Sequence, residues 1–237
     1  MIASSSTTER SLRERLIYRL VRASARILGV ISFDLRCLGR EHLDFPGAAL
    51  LLSTHQSTLD PVMVGVMQSR ELSYLARKTL FKSKLFGMLI RALNAIEIDR
   101  EGGGLAGLKE TLKRLKRGEK VLMFPEGTRT STGRPAELKP GFISLARRGT
   151  VPLVPMAVTG AFQALQRGSR FPHYWPLCVA VGPPMLPAEV AALNDAELLA
   201  ELYRRLLECH AIAENHSARS TGLRPNLVSI STGRPLV

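Results

Sequence analysis

Two rhythms of apolar residues alternate along the chain. Continuous apolar runs at 48–53 and 121–124 have the pattern of short strands buried on both faces. Residues 31–38 alternate loosely, and 73–76, 96–98 and 178–181 are brief apolar stretches that also read as strands. A further strand at 151–159 is expected to be broken by its prolines. Between these runs the spacing turns helical. Leu105, Leu108, Leu112 and Leu115 share one face, with Lys109, Lys113 and Arg114 off it, and Gly118 closes the helix. Asp60-Pro61 opens a helix to about Met67, the mixed stretch 77–94 suits one or two short helices, and 142–148 suits another. The last helix is expected over 194–213, capped by Asn194 or Asp195. Turn and loop residues fill 39–47, 125–140 and 172–176. Strands alternating with helices predict an α/β fold, a mixed, largely parallel sheet flanked by helices.

The N-terminus has a different character. Over 11–30, Leu12, Leu16, Ile17, Leu20 and Ile27 are interleaved with Arg13, Arg15, Arg19, Arg22 and Arg26. Arginines every three or four residues give a helix with one basic and one apolar stripe. No uncharged run is long enough for a transmembrane span, and no secretory cleavage pattern follows. A helix of this type either packs on the domain as an ordinary surface helix or lies in a membrane interface with its arginines toward anionic headgroups. The division is therefore 1–30 as a basic, membrane-associating segment, 31–214 as one α/β domain and 215–237 as a poorly ordered tail.

Charge sharpens this reading. The formal net charge is +13 and the pI about 10.4, a balance that favours anionic partners. Aromatic residues make up 5% of the chain, and no interleaved aromatic and basic tract of an RNA-binding module is present, so membrane and phosphate outrank nucleic acid. Cys37, Cys178 and Cys209 have neither metal-ligand spacing nor the pattern of a disulfide framework, and no metal or bound cofactor is expected.

Two motifs follow the apolar runs at 48–53 and 121–124, where loops leave strands and α/β sites are built. The first contains His55 and Asp60. In a continuous helix that spacing turns two side chains about 140° apart. Pro61 disfavours helix at Asp60, which leaves 54–59 as a loop with Asp60 as N-cap. The loop can then fold His55 back onto Asp60, which would fix one imidazole tautomer for a general base. Ser57 does not complete a triad, because no nucleophile elbow surrounds it. The second motif runs from Phe124 through Pro125, Glu126, Gly127 and Thr128 to Arg129. Gly127 permits a sharp turn, Arg129 can hold a phosphate bidentately, and Glu126 can accept from a substrate hydroxyl. Lys139, before Pro140 and Gly141, and Arg100, after a brief strand, are further cations for an anion pocket. Taken singly, these charges also fit solvated surface or internal ion pairs, with Glu126 bridging Arg129 or Lys139.

In combination the motifs resemble the glycerolipid acyltransferase family, specifically bacterial lysophosphatidic acid acyltransferases. The family's first block, N-H-x-S-x-x-D-P, is matched at 54–61 except at Thr54. Its third block, F-P-E-G-T-R-S, is matched from Phe124 to Arg129 with Thr130 for the serine. An I-D-R block is matched by Ile98, Asp99 and Arg100, although 94–97 departs from the family's glycine and aromatic choices. The resemblance covers roughly residues 45–160. It implies that His55, oriented by Asp60, deprotonates the free hydroxyl of a lysophospholipid that attacks an acyl thioester without an acyl-enzyme. Glu126, Gly127, Thr128, Arg129, Arg100 and Lys139 would bind the glycerol phosphate. Acyl-CoA or acyl-carrier protein would be the co-substrate, at the cytoplasmic face of the membrane. Glycerol 3-phosphate, a lyso-ornithine lipid or a glycolipid remain open as acceptors. A hydrolase, or a non-catalytic basic protein of the membrane surface or of nucleic acid, is the reading from other classes.

Overall fold

The computed structural model describes residues 12–68, 71–82, 87–88, 90–91, 93–98, 105–169 and 171–221. Its centre is a 7-stranded sheet in the order β1-β7-β6-β2-β5-β3-β4. The strands are β1 (Arg36–Leu38), β2 (Ala49–Ser53), β3 (Leu72–Arg77), β4 (Ala95–Ile98), β5 (Lys120–Met123), β6 (Leu153–Thr159) and β7 (Cys178–Val181). Neighbours run parallel except β6 and β7, so the sheet is mixed and largely parallel, as expected.

The apolar run of β2 explains its central place between β5 and β6. Its side chains alternate between two layers, and neither layer leaves water access. Ala49 and Leu51 enter one core with Leu122, Val154, Met156 and Val158. Leu50 and Leu52 enter the other with Val121 and Leu153. On the first face lie α1 (Leu12–Phe33) and α2 (Asp60–Met67), which pack on each other. On the second lie α3 (Leu105–Lys116), α4 (Ile143–Gly149) and α7 (Asp195–Thr221). The short helices α5 (Ala161–Ala164) and α6 (Pro187–Ala192) complete the set. Both span too few residues to show an apolar period, so the sequence pattern does not announce them.

Several boundaries move. Residues 31–38 do not form one strand: α1 continues to Phe33, and only Arg36–Leu38 pairs with β7. The turn between them is made by Asp34 at φ +42, where Leu35 N–H donates to Gly29 O. β6 is not broken at Pro155. Pro155 lies where β7 ends and keeps its acceptor role there, with Gly182 N–H donating to Pro155 O at 2.9 Å, so the proline removes one amide at the end of that ladder without breaking the strand. Helical residues do occur in 77–94, with a 3-10 turn at Lys78–Lys82 and helix at 87–88 and 90–91. Asn194 caps α7 reciprocally: Glu197 N–H donates to Asn194 Oδ1 at 3.0 Å and Asn194 N–H to Glu197 Oε2 at 2.8 Å. That helix runs past Ala213 to Thr221, into the stretch expected as tail, because Ser217 is buried against Thr159 of β6 with hydroxyls 3.1 Å apart. Residues 222–237 lie outside the described residues.

After β6 the chain turns at Gly160 with φ +83, and a Cβ there would sit 2.0 Å from Pro176 O. Gly160→Ala is expected to destabilise the protein by at least about 2 kcal/mol through strain and the displaced 176 carbonyl. The urea midpoint checks this; an unshifted midpoint contradicts it.

Candidate active site

The histidine loop is organised by one carboxylate. Asp60 is the first residue of α2, and Leu59 before it is already in the right-handed helical region. Asp60 is therefore not the expected N-cap. Its side chain turns back over the preceding loop instead. Oδ2 accepts from His55 Nδ1 at 2.7 Å, from Gln56 N–H at 2.6 Å and from Ser57 N–H at 2.8 Å. Backbone amides can only donate, so Oδ2 is an acceptor and Nδ1 carries the shared proton. Nε2 is left as the basic nitrogen of His55, whose side chain is 19% exposed. Asp60 itself is fully buried, and its Oδ1 has no hydrogen-bond partner. Burial pushes its carboxyl pKa up, while His55 and the two amides pull it back.

The second motif closes over the first. Phe124 stacks under the His55 ring, centroids 3.9 Å apart and planes 16° from parallel. Thr130 N–H donates to His55 O at 2.8 Å. The Gln56 amide bridges the backbone, donating to Gly133 O and accepting from Phe162 N–H. Thr54, where the family has asparagine, is buried and accepts from Val158 N–H at 3.0 Å, tying the loop to β6. Gln56 and Thr54 are loop hydrogen-bonders, as their residue types suggest, whereas sequence reasoning did not single out Phe124 and Thr130 as positioning groups. The only signal was their place inside the two motifs, because stacking and long-range hydrogen bonds leave no periodic trace.

Glu126 takes a different place from the one expected. It pairs with neither Arg129 nor Lys139, nor is it presented to a ligand. Oε1 accepts from His55 N–H at 2.9 Å and Oε2 from Ala136 N–H at 3.1 Å, with the residue 2% exposed. Both oxygens hold backbone, so the side chain clasps the histidine loop to the loop after β5.

The polar arm lies just beyond. Gly127 turns at φ +71, and a Cβ there would lie 3.0 Å from Lys139 Cδ, so the Lys139 stem runs over the glycine. Lys139 N–H donates to Pro125 O at 2.9 Å, which fixes its backbone beside the motif. Thr128 is exposed and Arg129 half-buried. Arg129 and Lys139 form no ion pair with a described residue. Arg100 lies outside the described residues. Among the described residues no group of three or more His, Cys, Asp or Glu could hold a metal ion. The arrangement thus joins an oriented imidazole to a cationic shelf.

Comparison with known proteins gives the family and the fold. The chain belongs to the acyltransferase family, whose model matches residues 34–159. It is 29% identical over 191 residues to a 1-acyl-sn-glycerol-3-phosphate acyltransferase of Bacillus subtilis, covering 80% of this chain and 93% of the relative. It is 29% identical over 162 residues to an enzyme of the same name from Limnanthes douglasii, covering 67% of this chain and 57% of that longer relative. The crystal structure of the 1-acyl-sn-glycerophosphate acyltransferase from Thermotoga maritima shares the fold, with a TM-score of 0.73 at 19% identity over 87% of this chain and 84% of that one.

Burial pushes the Glu126 carboxyl from its ordinary 4.5 up to about 7, against the pull of its two amides. It therefore holds its proton more tightly in the folded state. Its contribution to stability is full below about 4.5 and is lost as pH rises to about 7. Glu126→Gln is expected to flatten the urea-midpoint profile across that window. It also costs about 1–3 kcal/mol, since one oxygen becomes an NH2 facing a backbone donor. A mutant profile parallel to wild type contradicts the assignment.

Proposed function

We propose that this acyltransferase moves a fatty acyl group from an acyl thioester to the free hydroxyl of 1-acylglycerol 3-phosphate, forming phosphatidic acid. The observation that carries the reading is the 2.7 Å contact between His55 Nδ1 and the buried Asp60 carboxylate, on a loop tied through Glu126 and Thr130 to the one that carries Gly127 and Arg129, with Lys139 over Gly127. Nε2 takes the hydroxyl proton, and the developing alkoxide attacks the thioester carbonyl. The C–S bond breaks, an ester C–O bond forms, and the imidazolium returns its proton to the departing thiolate. Asp60 stabilises the imidazolium between these steps, and its position requires no covalent enzyme intermediate. Arg129 and Lys139 hold the acceptor phosphate, Arg129 in a bidentate fork. Acyl-CoA and acyl-carrier protein both present the required thioester.

A lysophospholipid lives in a bilayer, and α1 suits a peripheral enzyme working at the cytoplasmic face. Among the described residues no helix is long and apolar enough to cross a membrane. α1 buries Tyr18, whose hydroxyl accepts from Leu72 N–H, and packs Ala25 on the core. Its outer side exposes Leu16, Leu20, Ile27, Leu28 and Ile31, the last by 77%. Arg19 and Arg26 flank that stripe in solvent. An exposed apolar band bordered by arginines matches an interfacial helix lying along an anionic surface.

The deciding assay is acyl transfer from oleoyl-CoA to lysophosphatidic acid, with wild type beside His55→Ala. Product from wild type alone supports the reaction and the base; equal product from both removes His55 from the mechanism. If neither makes product, the acceptor or donor assigned here is wrong. Arg129→Ala is expected to raise KM for lysophosphatidic acid about tenfold or more, with the smaller effect on kcat. An unchanged KM would place the phosphate elsewhere.

A further inference from the structure

Among the described residues, the most exposed Phe and Tyr side chains stand together on the segment 171–175. Phe171 is 83% exposed and Tyr174 65%. Single exposed apolar residues need no explanation, but two large ones on five residues of one segment do. The segment is not loose. His173 N–H donates to Ala164 O at 2.9 Å, and Leu177 N–H donates to Phe33 O, the last residue of α1, at 3.0 Å. Trp175 turns inward and packs on the same core as Ala25 and Phe33 of α1. The frame thus holds Phe171 and Tyr174 out in solvent and places them at the C-terminal end of α1, whose outer side carries Ile27, Leu28 and Ile31. Just upstream, Leu165 O accepts from Ser57 Oγ at 3.1 Å, which links this stretch to the loop of His55.

We propose that 171–175 is a second membrane-contact segment, seated in the interface of an anionic phospholipid bilayer beside α1, so that His55 faces the lipid surface from which the acceptor enters. The inference rests on the membrane reading above and adds the surface that orients the site. Charge selects the partner: from residue 138 to 188 the sequence contains no Asp or Glu, while Arg167 is exposed close by. Two exposed aromatic residues, Phe171 and Tyr174, in a basic setting have the character of an interfacial aromatic belt. An acidic carrier protein would answer the charge but leaves a Phe side chain this exposed without a lipid-like medium to enter.

Trp175 is the chain's only tryptophan, so the segment carries its own reporter. Trp175 packs inward beside Tyr174, so vesicles of phosphatidylcholine with phosphatidylglycerol carrying brominated acyl chains are expected to quench it by proximity. Phe171→Ser with Tyr174→Ser is expected to weaken vesicle binding about tenfold. Turnover of lysophosphatidic acid dispersed in detergent stays unchanged. Vesicle binding with Trp175 unquenched overturns the second contact while leaving α1 as the membrane element. A Trp175 response to acyl-carrier protein without vesicles, with none to lipid, overturns it in favour of a protein partner. Failure of every variant to bind anionic vesicles removes the membrane reading itself. The wild-type quenching measurement needs no mutant, and circular dichroism of the double variant separates lost binding from lost fold.

Discussion

A fully buried carboxylate at the start of a helix is a demanding thing to build, and the site of this protein depends on it. Asp60 is removed from water, which penalises its charge by several kcal/mol unless other groups replace the lost hydration. One oxygen finds three donors, the His55 imidazole and the amides of Gln56 and Ser57, while the other finds none. The amides are aligned only when the loop wraps the carboxylate, so the electrostatic cost and the loop conformation are solved together. The N-terminal end of α2 adds favourable dipole potential at the same point. His55 is consequently oriented by the fold rather than by a single flexible contact. In the proposed mechanism, a charged imidazole formed during proton transfer would meet a counterion already in place.

The second buried carboxylate extends the same logic. Glu126 gives its oxygens to His55 N–H and Ala136 N–H, so motifs separated by some seventy positions share one rigid frame. Phe124 below the imidazole and Thr130 at the His55 carbonyl close the remaining freedoms. The two acids also repel, since Asp60 contributes to raising the Glu126 carboxyl. Each is held by two backbone amides rather than by mobile cations, Asp60 through one oxygen and Glu126 through both. That division leaves Arg129 and Lys139 without internal ion pairs among the described residues, which is what a shelf for an external anion requires.

What was legible in the sequence follows from the range of the interactions. The apolar runs of β2 and β5 and the leucine face of α3 are local patterns, and they led correctly to a mixed sheet with helices on both faces. The pairing of His55 with Asp60 was legible because Pro61 restricts the backbone at one known position. The role of Glu126 was not, because its partners are backbone amides at distant positions, and a free carboxylate beside an arginine reads as a substrate or salt-bridge group. The end of α7 was misplaced for a similar reason: a polar composition after Asn215 suggests disorder, yet one buried contact between Ser217 and Thr159 extends the helix along β6. Tertiary contacts override composition wherever a polar group finds a buried partner.

The distribution of charge completes the argument from site to surface. Internal carboxylates are neutralised within the loops, so they add little to the outward field. The surface retains most of a +13 excess, and the chain from 138 to 188 contributes only cations to it. A positive surface alone would attract any polyanion and would not place the active site at any particular depth. Depth is set by apolar groups, because burying them is short-ranged and scales with area. The exposed stripe of α1 and the aromatic pair Phe171 and Tyr174 supply that term on either side of the α1 end. On the membrane reading proposed above, long-range charge would bring the protein to an anionic surface, and short-range apolar contact would fix which side of the molecule meets the lipid. An acceptor with its phosphate at the headgroup level and its acyl chain below would meet Arg129 and His55 in the order that the reaction needs.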